Sequence, residues 1–211
     1  QIPGFRYYVV KDGEEVLSSQ TVVGRGDRQT PVFMSPMNHI VFSPYWHVPR
    51  SMAVRDFLPR LKRDPNALKR SRIRIFRGGQ EVDPNSVNAN NFPFQLRQDP
   101  GDYNSLGRVK FMFPNEHAIY LHDTPSRHLF GKTSRDFSSG CVRIENPSEL
   151  AEFFLKDLGW DRKKIEAAYK RDSEAYVKLQ EEKRIPVYTL YMTTRTEGDS
   201  IWLRYKVKNS N

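Results

Sequence analysis

The sequence predicts a mainly β fold with a few helices. Three observations predict it: β-branched and aromatic runs stand at both ends, turn signals separate them, and two capped helical segments lie in the later half. Phe5 to Val10 reads as a first strand that meets the hairpin dipeptide Asp12-Gly13, and Val16 to Val23 reads as its return. Gly24 to Asp27 is a second turn, after which Thr30 to Phe33 resumes extended chain. Ile40 to Trp46, aromatic and β-branched again, reads as a strand or the mouth of a groove.

Character changes after Pro49. Met52 to Leu61 predicts a short helix, with Val54, Phe57, Leu58 and Leu61 on one side. Ile73 to Phe76 runs into Gly78-Gly79 as a hairpin arm does. From Asp83 to Gly107 the chain is rich in Asn, Pro and Gly, yet carries Phe92, Phe94, Leu96 and Tyr103, as an ordered lid or a decorated loop would. Residues 50–107 are therefore expected to form an insertion beside the main sheet of one domain spanning 1–211.

Regular structure returns with Val109 to Phe113 and Ala118 to His122, which places His122 at the end of a core strand. Arg127 to Phe137 reads as a loop with a short helical turn. Asn146, Pro147 and Glu149 form an N-cap with a capping box, Leu150, Phe153, Phe154 and Leu158 give the helix its apolar face, and Gly159 stops it. Asp161 caps a second helix carrying Ile165, Ala168 and Tyr169. Ile185 to Thr194, a Glu197-Gly198-Asp199 turn and Ile201 to Val207 end the chain in extended structure.

With 211 residues, 37% hydrophobic and 28% charged, the chain can bury one substantial core. No stretch approaches the roughly 20 apolar residues that span a bilayer. The start at Gln1 reads as a processed form or an excised domain. The net charge of +9 favours an anionic partner. Its densest run, Arg60 to Arg77, lacks zinc-finger cysteines and any recognition-helix spacing, so solvated surface is expected there and no nucleic acid. Phosphate-binding glycine motifs and metal-ligand spacings are absent, and no cofactor is expected.

The one cysteine, Cys141, lies in Ser138-Ser139-Gly140-Cys141-Val142-Arg143, nineteen residues after His122. A single thiol is either inert packing or a reactive group, and the tight polar approach favours the second. A thiol ionises little at neutral pH and needs a nearby imidazole to act. Of five histidines, His122 is the best placed. His128 is a weaker alternative, His39 and His117 read as turn or surface residues, and His47 sits beside Tyr45 and Trp46, which are candidate groove residues. Gly140 permits close approach, and the Ser139–Gly140–Cys141 backbone can offer N–H groups to an oxyanion. Asp123 is adjacent to His122, but neighbours on a strand point to opposite faces, so a backbone carbonyl is an equal candidate for orienting the imidazole.

His122-Asp123-Thr124 followed by Phe137 to Ile144 resembles the L,D-transpeptidase catalytic domain, the YkuD domain. The longer run Tyr120 to Pro125 through Ser138 to Ile144 is similar to the large periplasmic YcbB-type enzymes of Gram-negative bacteria. In the family pattern the catalytic histidine falls on His122, the nucleophile on Cys141, the Ser/Thr on Ser138, the glycine on Gly140 and the Asn/Arg position on Arg143. Ser139 departs from the common pattern, which carries a second histidine there.

The resemblance implies a YkuD-type β-sandwich whose 50–107 segment is a substrate-capping subdomain. It implies periplasmic acyl transfer on peptidoglycan. Cys141, helped by His122, would take the acyl group of a tetrapeptide stem with release of D-Ala, and the side-chain amine of a second stem would complete a 3→3 cross-link between meso-diaminopimelate residues. Carbapenems would acylate the same thiol, and a membrane anchor would precede the domain. Tyr120, Arg143 and Trp46 are the expected substrate-binding residues. A cysteine amidase or carboxypeptidase and a non-catalytic wall-binding module are the alternatives.

Overall fold

A computed structural model describes residues 1–87, 92–197 and 200–203, with side chains as far as Thr194. Alternating apolar residues build the central sheet. β1 (Arg6–Lys11) and β2 (Glu14–Gly24) form an antiparallel hairpin over Asp12-Gly13. β3 (Phe33–Pro36), β4 (His39–Phe42) and β5 (Trp46–His47) follow. Three short helices, α1 (Arg50–Met52), α2 (Leu58–Arg63) and α3 (Ala67–Arg70), then lead to β6 (Ile73–Arg77), β7 (Gln80–Glu81) and β8 (Gln95–Gln98). β9 (Val109–Met112), β10 (Leu121–His122), β11 (Asp136–Ser138) and β12 (Val142–Ile144) precede α4 (Pro147–Leu155) and α5 (Arg162–Tyr169). β13 (Ala175–Lys178), β14 (Pro186–Thr189), β15 (Thr194–Glu197) and β16 (Ser200–Leu203) complete the described elements.

The main sheet has the order β1-β2-β12-β10-β9-β4-β13, with β11 added parallel to β2. Only β10 and β12 pair parallel along that path. One face of the sheet is covered by α4 and α5, which bury Leu150, Leu155 and Ile165 with Ile40, Phe42, Phe111 and Ile144. Each such side chain contributes on the order of 1.5–3 kcal/mol by leaving water. A second sheet, β5-β8-β6-β7, packs a separate core in which Trp46, Phe57, Leu68, Ile75 and Leu96 are buried. The predicted mainly β architecture is borne out as a mixed fold of several sheets and a few helices. Among the described residues no helix is long and apolar enough to cross a membrane.

Local departures from expectation have physical causes. The helix expected over 52–61 is broken. Between α1 and α2 lies a π turn, Ala53–Phe57, in which the Leu58 N–H donates to Ala53 O five residues back. Pro59 has no N–H to give to Arg55, so the four-residue ladder cannot run through this stretch. The strand expected over 40–46 ends at Phe42, because Ser43 turns to φ +44 and its hydroxyl donates to Ala168 O and Tyr169 O at the end of α5. The strand expected over 118–122 shrinks to β10, because Asn115 folds the preceding turn by bonding both Ile119 N–H and Ile119 O. α4 starts where expected, yet Asn146 makes no side-chain cap, and Pro147 at the first turn needs none for its missing N–H. Asp161 caps α5 as expected, accepting from Lys164 N–H at 2.8 Å. β13 was not foreseen. The Gly198-Asp199 turn and positions 204–207 lie outside the described residues.

Candidate active site

β10 and β12 carry the candidate groups. Leu121 pairs with Val142 and His122 with Arg143. Leu121 and Val142 enter the main core, so alternation sends His122 and Arg143, the next residues on β10 and β12, toward the opposite face. His122 and Cys141 share two neighbours: the Tyr120 ring stands beside the imidazole and its hydroxyl bonds the thiol, and the Arg143 charge acts on both. Tyr120 packs against the second core while Cys141 packs at the edge of the first, so the site lies where the two cores meet.

The imidazole is held by main chain. His122 Nδ1–H donates to the Asp123 carbonyl at 2.5 Å, which leaves the Nε2 lone pair available. The Tyr120 ring stands edge-on to it, with centroids 5.7 Å apart. The Asp123 carboxylate turns elsewhere: it accepts from Arg108 N–H at 2.9 Å and from Arg127 Nη1 at 3.1 Å. It also fills the space beside Gly107, where a Cβ would stand 2.3 Å from Oδ2. Gly107 has φ +62 as well, so both space and backbone require glycine there.

Burial drives the two central groups toward neutrality. His122 is 5% exposed; burial, and then the Arg143 charge, take its pKa from 6.5 to about 3 against the opposing Asp123 bond. Burial also pushes the Cys141 thiol up, although the Tyr120 backbone and hydroxyl and the Arg143 charge pull the other way. At neutral pH the surface therefore presents a neutral imidazole and a neutral thiol. In this state the thiol donates to Ala118 O at 3.8 Å.

The histidine shift makes stability depend on acid. Below about pH 6.5 the unfolded chain binds a proton that folded His122 refuses. This stabilising contribution is complete above that pH and is lost as pH falls toward about 3. Denaturant unfolding at about pH 8 and about pH 4 is expected to show a larger acid loss for the native protein than for His122→Asn. Equal losses would show that His122 is not buried in neutral form.

The Cys141 loop is tied through Ser138. Its Oγ accepts from Gly140 N–H at 3.1 Å and donates to Cys141 O at 2.5 Å. Gly140 takes φ +115, and a Cβ there would stand 3.1 Å from Ile119 Cδ1. Because its N–H is engaged, Gly140 supports the loop in this state rather than offering a free donor.

Sequence reasoning missed the partner of this loop. The turn after β2 grips three successive residues: Arg25 N–H donates to Ser138 O at 3.1 Å, Arg28 Nη1 to Ser139 Oγ at 2.9 Å, and Thr30 Oγ1 to Gly140 O at 2.7 Å. The sequence marked these residues only as a turn and its exit.

Other expected residues fall differently. Trp46 is 7% exposed and edge-on to Phe57 within the second core, and belongs to the site only through the core that Tyr120 also touches. Tyr45 lies beneath the Arg97 guanidinium. Arg143, by contrast, acts on both Cys141 and His122. It makes no ion pair among the described residues, and its buried Nε has no hydrogen-bond partner. His39 bonds Asn38, His117 stands by Glu116, and His47 and His128 are exposed. Among the described residues no group of three or more His, Cys, Asp or Glu could hold a metal ion.

Fold and site together define a β-sheet domain organised around a cysteine–histidine surface. Residues 1–172 match the family model of the L,D-transpeptidase catalytic domain, YkuD, and the chain belongs to that family. It is 38% identical over 207 residues to a Haemophilus influenzae protein named "Putative L,D-transpeptidase". The match covers 95% of this chain and 41% of that protein, so the chain spans about two fifths of the relative's length.

Proposed function

We propose that this domain catalyses peptidoglycan 3→3 cross-linking as part of a periplasmic, membrane-anchored enzyme of the YcbB type. The observation that carries the mechanism is a neutral His122, oriented by a backbone carbonyl, that shares Tyr120 and Arg143 as neighbours with Cys141. Cys141 Sγ attacks the carbonyl between meso-diaminopimelate and the terminal D-Ala of a donor stem. Its proton passes to His122 Nε2 during attack, since a raised thiol pKa disfavours a standing thiolate. The Tyr120 hydroxyl, next to the sulfur, serves as a donor to the oxyanion together with loop N–H groups. The tetrahedral adduct collapses as the carbon–nitrogen bond breaks, and His122 returns the proton to the departing D-Ala amine. The side-chain amine of a second stem then attacks the thioester, His122 takes a proton from that amine, and the sulfur leaves and regains a proton.

Arg143 suits a substrate carboxylate because its guanidinium is half-buried and lacks an acidic partner among the described residues. The +9 charge favours the same carboxylate-rich polymer. We assign residues 50–107 the role of capping subdomain, and Trp46, just before it, a packing role against it. A carbapenem would open its lactam on Cys141 and leave a ring-opened thioester.

Incubation with purified tetrapeptide muropeptides tests the reading. D-Ala release together with cross-linked dimers, followed by mass, is the expected result. D-Ala release without dimers would convert the assignment to a carboxypeptidase. No release and no carbapenem adduct on folded protein would leave a wall-binding module.

A further inference from the structure

Ser139 stands where the common family pattern has a second histidine, and its hydroxyl has a partner of its own. Arg28 Nη1 donates to Ser139 Oγ at 2.9 Å and to Asp56 Oδ2 at 2.8 Å, while Arg28 Nη2 donates to Asp56 Oδ1 at 2.8 Å. One guanidinium thus spans two parts of the fold. Ser139 belongs to the nucleophile loop. Asp56 belongs to the π turn Ala53–Phe57, whose Ala53 and Phe57 are anchored in the second core.

Exposed ion pairs contribute little, because water and salt screen them and long side chains lose entropy on pairing. This one differs in two respects. The Arg28 side chain is 8% exposed, and the pair is bidentate, the geometry that a rigid guanidinium fork holds best. The buried Arg28 Nε makes no hydrogen bond, and the other nearby carboxylate, Asp27, stands 3.7 Å away and is exposed. Among the described residues no second acceptor is in place to take over from Asp56, so losing that carboxylate leaves the guanidinium held by Ser139 and the distant Asp27.

We infer that Arg28 is a positioning residue that ties the 50–107 segment to the nucleophile loop, so that the seating of that segment sets the order of the Ser139–Cys141 peptide. Asp56 fixes the guanidinium, the guanidinium fixes Ser139, and Ser139 lies two residues from the thiol. When the segment shifts from its seat, Asp56 moves with it and the loop slackens. The kinetic consequence rests on the acyl-transfer reading; the structural one does not.

Four variants test the tie: Asp56→Asn, Ser139→Ala, their combination, and Arg28→Lys, which keeps the charge and loses the fork. Hydrogen–deuterium exchange of the peptide spanning Ser138 to Cys141 is expected to quicken about tenfold in each, with β9 and β10 unchanged. Stem-peptide kcat is expected to fall about tenfold with KM held within about twofold, since nucleophile placement and not binding is disturbed. The combined variant should be about as slow as the slower single one, because both substitutions cut the same chain of contacts. Unchanged loop exchange in Asp56→Asn, or losses that multiply in the combined variant, would overturn the tie. A native protein that turns over no stem peptide would defeat the acyl-transfer reading, while the exchange measurement would still decide the tie.

Discussion

Cys141→Ser is expected to fold normally and to lose D-Ala release and carbapenem acylation by about 10³-fold or more. The change is small in space: the serine hydroxyl occupies the half-buried position of the thiol and can donate to the same Ala118 carbonyl. The chemistry changes far more. A hydroxyl is a much weaker acid than a thiol, and His122, with a pKa of about 3, is a weak base. A thiol gives up its proton far more readily than an alcohol, so an imidazole that can still assist the thiol fails with the hydroxyl. Intact mass after exposure to a carbapenem, alongside the melting temperature, separates lost chemistry from lost fold. An adduct of equal yield on the serine variant would remove Cys141 from the mechanism.

His122→Asn is expected to lower acylation by about 10² to 10⁴-fold while leaving a slow adduct, since the nucleophile remains. Its pH dependence is the more telling readout. In the native protein the imidazole is already unprotonated above about pH 3, so acylation should be nearly flat across neutral pH. In the variant only self-ionised thiolate reacts, and burial has pushed that thiol up. The variant rate should therefore rise about tenfold per pH unit through the neutral range. A flat profile in both proteins would mean that His122 does not take the proton.

Much of this arrangement was legible because its signals are local. Asp12-Gly13 announces the first hairpin, Asp161 caps its helix, and Gly159 ends the helical stretch before it in the left-handed region. Cys141 and His122 were legible as a candidate pair because few residue types do their chemistry, and both lie beside Tyr120 and Arg143. The group that orients His122 was not, because a main-chain carbonyl has no residue type to betray it. Nor were Arg28 and Thr30, whose bonds to the Cys141 loop span more than a hundred residues. β13 escaped notice because Ala175 to Lys178 is short and turns only alternate residues inward, and becomes a strand by pairing with β4. The π turn escaped because side-chain periodicity resembles that of an α-helix, and only Pro59 hinted at the break.

The grip of the 25–30 turn on the Cys141 loop closes chain separations of 110 and 111 residues. Contacts of such range are slow to form during folding, whereas hairpins and single helices form early. The Cys141 loop is thus expected to set late, together with the equally long-range pairing of β2 with β12.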